Sequence, residues 1–226
     1  MAMISNVILV HGAWADGSSW SKVIPLLATK GLTATAVQLP LTSFEADVAA
    51  VQRAVALADG AVVLVGHSYA GAVIGEAGND PKVVRLVYVD AFAPDAGESA
   101  GTLFQQFESA PLGAEMRPDA AGFLKLSSAG VCELFAQDLD DVEKGVVYAT
   151  QGPINGAALG GVLSQAAWRT RPTFYLIGDD DHAIPRAEQE RMASRMNATI
   201  AHVSSSHVPM LSQPSAVVDF IVRAAA

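Results

Sequence analysis

The chain has a single cysteine, Cys132, so no disulfide can form within it. The fold must therefore be held by its core, which suits a reducing compartment, and a cytoplasmic location is expected. Cys132 sits in the stretch Cys132-Glu133-Leu134-Phe135, whose acidic and apolar neighbours disfavour a thiolate, so it is a poor nucleophile. Basic residues are also scarce: 14 Lys and Arg stand against 23 Asp and Glu, a net charge of -9. Such a balance repels phosphate backbones and anionic lipid headgroups, which argues against nucleic-acid and membrane partners and for a small molecule. No apolar run approaches the ~20 residues that cross a bilayer. The apolar segment Met3 to Val10 lacks a basic flank and a small-residue cleavage site, and it runs into His11-Gly12, so it reads as a strand rather than an export signal.

What the chain does have is apolar bulk, 51% of 226 residues with a mean hydropathy of +0.31. That is enough for one sizeable α/β domain burying roughly 70% of its unfolded surface. The organising stretch is Val62-Val63-Leu64-Val65-Gly66-His67-Ser68-Tyr69-Ala70-Gly71. A β-branched run suits a strand covered on both faces, and it passes straight into a helical pattern. A serine at the apex of so tight a turn projects its hydroxyl at a helix N-terminus, provided that the residues two before and two after it are small. Gly66 and Ala70 meet that condition, the second departing from the usual glycine by one methyl.

Around this elbow the chain alternates strands and helices, the pattern of a doubly wound parallel sheet. Asn6 to Val10 is a strand, followed by the loop His11 to Trp20, in which Ser18 or Ser19 can cap a helix running through Ala28. Gly12 and Gly17 have the spacing of a phosphate loop, but Ser18 stands where that motif needs lysine, which removes the phosphate reading. Leu32 to Val37 is a second strand, Thr42-Ser43-Phe44-Glu45 opens a helix to about Ala58, and Val83 to Val89 is the strand after the elbow helix. From Pro94 to about Thr170 the rhythm breaks. Residues 94–170 are expected to form a helical cap inserted in a core of residues 1–93 and 171–226, with helical patterns around Leu103-Phe104-Phe107, Phe123-Leu124-Leu126 and Leu134-Phe135. The insertion carries ten of the acidic residues and four of the basic ones, so neutral substrates fit it better than anions. Strands then resume at Thr173 to Ile177 and Thr199 to Val203, with helices over Pro185 to Met196 and from Pro214 to near Arg223.

A serine hydroxyl needs a base, and the base needs a carboxylate to fix its tautomer. His207 follows the last predicted strand, at the carboxyl edge where a parallel sheet gathers functional side chains. His11, His67, His182 and His202 are weaker candidates by position. Asp181, in Gly178-Asp179-Asp180-Asp181, is the favoured carboxylate, with Asp90 at the end of the strand after the elbow as its rival. The order Ser68, Asp181, His207 then follows that of a known hydrolase triad. Two N–H groups, each worth about 3 kcal/mol to an oxyanion, are expected from the backbone of Ala13 and Tyr69. Trp14, Phe104, Phe107, Phe123 and Phe135 are candidate walls of a substrate pocket.

Four stretches carry a resemblance: His-Gly-Ala-Trp at 11–14, Gly-His-Ser-Tyr-Ala-Gly at 66–71, Gly-Asp-Asp-Asp-His-Ala-Ile-Pro at 178–185 and Ser-His-Val-Pro-Met-Leu at 206–211. Together they resemble the compact α/β-hydrolases related to plant methyl-ester hydrolases and hydroxynitrile lyases. The resemblance implies an α/β-hydrolase fold with a six-stranded parallel sheet, a helical cap, no cofactor and no metal, and frequently a homodimer. Lyases of this group look to a threonine after the first-loop histidine and a lysine after the catalytic one, and here those positions are Gly12 and Val208. Without a cation there, hydrolysis is favoured. The expected activity is that of a serine carboxylic ester hydrolase acting on small, neutral, hydrophobic esters through an acyl-enzyme. A binding protein that retains the triad, or a carbon–carbon lyase, are the alternatives.

Overall fold

In the computed structural model, which describes residues 4–109 and 111–226, the apolar runs form the strands of one parallel sheet. In chain order the first half gives β1 (Asn6–Val10), α1 (Val23–Thr29), β2 (Thr33–Val37), α2 (Phe44–Leu57), β3 (Val62–His67), α3 (Ala70–Ala77) and β4 (Val83–Val89). The insertion follows, with α4 (Ala100–Phe104), β5 (Met116–Pro118), β6 (Phe123–Leu126), a single turn of π-helix (Gly130–Phe135), α5 (Asp141–Thr150), β7 (Ile154–Asn155) and α6 (Gly156–Leu159). The core closes with β8 (Thr173–Gly178), α7 (Arg186–Arg195), β9 (Thr199–Val203), α8 (Pro209–Ser212) and α9 (Pro214–Ala225).

The sheet order is β2-β1-β3-β4-β8-β9, with every pairing parallel. Every residue of the central β3 is buried, while the edge strands β2 and β9 alternate outward, as the loss of one neighbour requires. The chain winds outward from β1 to β2 and then returns to the other side of β1 as β3. The strand order therefore reverses between β1 and β3, and a crevice opens beyond their carboxyl ends. The loop after β1 and the elbow after β3 meet at that crevice.

Two local expectations are corrected. The helix entry after β1 is not capped by Ser18 or Ser19. Asp16 accepts the Ser18 N–H at 2.6 Å and starts a 3-10 turn (Gly17–Trp20), and the α-helix begins only at Val23. The segment Phe123-Leu124-Leu126 is a strand, not a helix. Gly122 takes a φ of +82° behind a turn in which Asp119 accepts the Ala121 and Phe123 N–H groups, and the chain then pairs antiparallel with β5 and β7. Over four residues helical and extended patterns cannot be told apart, and here the turn decides. The insertion thus combines short helices with a three-stranded antiparallel sheet. Among the described residues no helix is long and apolar enough to cross a membrane.

Candidate active site

Ser68 occupies the turn between β3 and α3 with a φ of +54°, a conformation that costs of order 1–3 kcal/mol for a residue with a side chain. Three backbone bonds hold it there: its N–H donates to Val89 O at 3.2 Å, and its carbonyl accepts from Gly71 N at 3.0 Å and Phe92 N at 3.1 Å. Close packing makes the small residues obligatory. A Cβ on Gly71 would lie 2.1 Å from Phe92 O, and one on Gly12 would lie 2.7 Å from Ser68 Cβ. The glycine after the elbow therefore seats α3 against the segment leaving β4, and Gly12 lets the first loop close over the serine.

The Ser68 hydroxyl lies 2.8 Å from His207 Nε2, and His207 Nδ1 lies 2.7 Å from Asp181 Oδ2. With Nδ1–H donating to the carboxylate, Nε2 is left to accept the serine proton. Asp181 accepts from four donors: Ala183 N and Ile184 N on Oδ1, and Gln189 Nε2 and His207 Nδ1 on Oδ2. Its side chain and that of His207 are buried, at 0% and 1% exposure, so this alignment is shielded from competing water. The His207 ring is gripped between Phe135, edge-on at 4.9 Å, and His67 at 4.7 Å. His67 Nε2–H donates to the His207 carbonyl at 2.7 Å. Burial, reinforced by the charge that His207 would carry, holds the His67 ring well below the ordinary histidine range, so it stays neutral.

The remaining candidates fall elsewhere. His11 accepts the Leu39 N–H on Nε2 at 3.0 Å and donates from Nδ1 to Gly12 O at 2.9 Å, so it fixes the first loop, and burial lowers its pKa. His182 and His202 are exposed, the second paired with Asp179 at 3.0 Å. Asp90 is fully buried at the end of β4 with a φ of +44°, but it accepts Gly178 N–H at 2.5 Å rather than bonding His207. Atoms of Asp90, Asp181 and His207 lie within 4.8 Å of one another, a spacing a metal could use. The donors already filling Asp181 leave no lone pair for one.

Ala13 and Tyr69 line the same cavity as Ser68, and neither backbone N–H donates a hydrogen bond among the described residues. Tyr69 is anchored from the far side: its hydroxyl donates to Asp47 Oδ2 at 2.8 Å, and Asp47 Oδ1 accepts Leu41 N–H at 2.7 Å. Burial, followed by the Asp47 charge, raises the Tyr69 pKa, and burial raises that of Asp47.

The cavity above Ser68 has a volume of about 360 Å³, and no Lys, Arg, Asp or Glu side chain lines it among the described residues. Of the five aromatic residues expected in its wall, Trp14 and Phe104 are there. The other three are not. Phe107 is buried behind Phe92, stacked on it at 5.8 Å. Phe123 is adjacent to Leu124 on β6, so it points from the opposite face while Leu124 faces the cavity. Phe135 lies beyond Trp14, in the wall of a second cavity of about 280 Å³, and its contact with the site is with the His207 ring. Sequence reasoning missed Phe92, Leu112, Met116, Leu124, Leu159 and Ile184, all in the cavity wall, because isolated apolar residues carry no signal of which face they will take. Gln189 was missed as well. Its only clue is a position within the first turns of the helix after Asp181.

The sequence matches the alpha/beta hydrolase family over residues 7–220. The chain belongs to that family. Curated relatives of this alpha/beta hydrolase include alpha/beta hydrolase nvfD of Aspergillus novofumigatus, 29% identical over 97% of this chain and 96% of that protein. Methylesterase 8 of Arabidopsis thaliana is 25% identical over 99% and 90% of the two chains. The pyrethroid hydrolase of Sphingobium wenxiniae is 25% identical over 96% and 86%. Among solved structures, the fold is shared with the pyrethroid hydrolase PytH at a TM-score of 0.86 and 23% identity, covering 97% of this chain and 96% of that one. Polyneuridine aldehyde esterase shares it at a TM-score of 0.85 and 19% identity, covering 97% and 98%. Relatives of this alpha/beta hydrolase thus include a methylesterase and other hydrolases.

Proposed function

We propose that the protein is a serine carboxylic ester hydrolase for small, neutral, largely apolar esters. The observation that carries this reading is the unbroken hydrogen-bonded line Asp181–His207–Ser68 at the floor of a cavity without charged walls. His207 Nε2 takes the Ser68 proton as Oγ attacks the ester carbonyl, and Asp181 stabilises the imidazolium that results. The Ala13 and Tyr69 amides receive the oxyanion in a largely apolar pocket. As the intermediate collapses, the C–O bond to the alcohol breaks and His207 returns its proton to the leaving oxygen. Water, activated by the same histidine, then releases the acid. A cation beside His207, which a lyase would need for its leaving group, is replaced by buried Val208. The relatives named as methylesterases and hydrolases support ester chemistry.

With a chromogenic short-chain ester the enzyme should show a burst of alcohol release, and a phosphonate ester should bond covalently to Ser68. Ser68→Ala should abolish both. Turnover undiminished in that variant would remove the assignment.

A further inference from the structure

The mechanism leaves one buried acid without a task. Asp90 is fully buried, its Oδ1 accepts the Gly178 N–H, and its Oδ2 has no partner among the described residues. Gln189 lies beside it: its amide bonds Asp181, whose carboxyl is within 4.8 Å of that of Asp90. Gln189 Nε2 spends its two hydrogens on Asp181 Oδ2 at 2.8 Å and Ile184 O at 2.9 Å. Reversing the amide would turn its oxygen against both acceptors, so the orientation is fixed. Gln189 Oε1 is then a buried acceptor with no donor. Two orphan acceptors on neighbouring buried side chains are both costly to leave unmet, unless one of them carries a proton.

Donor counting says which. Asp181 accepts from four donors, which leaves it no proton of its own, whereas Asp90 accepts from one. Two carboxylates buried within 4.8 Å of each other cannot both be ionised cheaply. We propose that Asp90 is a protonated carboxylic acid in the working enzyme and donates to Gln189 Oε1, so that Gln189 is held to present its amide to Asp181. Asp90 is thus a positioning residue, acting through Gln189 and Asp181 on the tautomer and aim of His207. The inference rests on the serine hydrolase reading only for that last consequence.

The surroundings agree. The ionisable groups around Asp90 are Asp181, Asp138, which accepts the Ser206 N–H at 2.9 Å, His207, and Tyr175, whose hydroxyl donates to Ala91 O. Burial and then the Asp181 charge push the Asp90 carboxyl well above the usual carboxylate range, against the smaller pull of the Gly178 N–H.

The sign of the stability effect follows. Between the unfolded carboxylate pKa of about 3.9 and the raised folded value, the native state holds a proton that the unfolded state has lost, so wild-type stability falls as pH rises through that window. Asp90→Asn supplies the same donor and acceptor without titrating. Its thermal stability relative to wild type should therefore improve steadily from about pH 4 to neutrality and beyond. In wild type labelled with ¹³C at the aspartate carboxyl carbon, the Asp90 resonance, assigned by its loss in Asp90→Asn or Asp90→Glu, should keep the protonated shift at neutral pH. Asp90→Leu, which offers Gln189 no donor, should lower kcat about tenfold with KM little changed, the cost of one unmet buried bond, and Asp90→Asn should restore it.

A carboxylate shift for Asp90 at neutral pH would overturn the proposal, as would a stability gap that stays flat or closes with rising pH. So would a loss of turnover in folded Asp90→Asn as deep as in Asp90→Leu. The resonance and the stability gap use no ester, so they stand or fall separately from the esterase reading. The resonance can be followed in wild type even where a variant does not fold.

Discussion

The carboxyl edge of the sheet and the insertion that roofs it are built to different standards. At the edge, Trp14, Ser68 and Asp90 all hold positive φ values, and Ser68 and Asp181 are each fixed by several hydrogen bonds. The insertion is made of short pieces: strands of two to four residues, a helix α4 of five, and a helix α5 of ten residues with none buried. Its Val142 and Val146 side chains are 78% and 56% exposed. Strained geometry persists only where surrounding contacts over-determine it, so the chemistry is committed to the edge. A wall of isolated apolar side chains on short elements can change without disturbing that geometry. Changes at the edge should therefore act on kcat, and changes in the roof on KM and substrate choice.

The sharpest test of the edge is Asp181→Asn, which keeps the shape but lets His207 take the wrong tautomer. By analogy with the equivalent change in other triads, kcat per folded enzyme should fall about 10⁴-fold, and because the Asn amide cannot accept from all four donors the thermal transition should fall as well. Phe135 should break the division, because it belongs to the insertion yet grips the His207 ring. Phe135→Ala should cost about 3 kcal/mol of stability from the cavity left behind, measurable by denaturant unfolding, and should lower kcat more than it raises KM. Met116→Ala or Leu124→Ala should do the reverse. Their widened cavity should shift preference towards bulkier acyl groups by about tenfold in relative kcat/KM, while kcat on the shortest ester changes little.

The smallest expected effect is a pH dependence of stability at the edge. His67 is buried with its pKa depressed, so its contribution to stability is present above the unfolded value of about 6.5 and declines as pH falls below it. His67→Gln can keep an N–H for the His207 carbonyl without titrating. Wild type should lose stability relative to this variant on acidification from about pH 7 to 5, which thermal scans at the two values would show.

The same division explains what could be read in advance. The elbow was legible because backbone geometry dictates residue type there: an apolar strand running through Gly66, a serine at the apex, and Gly71 where a Cβ would strike Phe92 O. The strands of the core were legible from their apolar runs, β3 most of all. The preference for Asp181 over Asp90 was legible from position and chain order, but its physical cause was not. Both end or follow a strand at the same edge, and what separates them is the number of donors each meets, a property of Ala183, Ile184 and Gln189 brought together only by folding. The cavity wall was least legible. Phe123 and Leu124 are equally apolar neighbours, and the pleat of one short strand decides which of them faces the cavity. Phe135 seemed a wall by type, and its place beyond Trp14 makes it a support for the base instead.

Trp14 joins the two regions. It directly follows Ala13, and its indole Nε1 donates to Leu124 O at 2.9 Å, tying the first loop to strand β6 of the roof. A ligand too large for the chamber, prising the roof outward, would tug through this tether on the amide one residue away. Oversized esters should consequently occupy the chamber yet stall at the tetrahedral stage, acting as competitive inhibitors, so that steric selection is exercised on the reaction step as well as on entry.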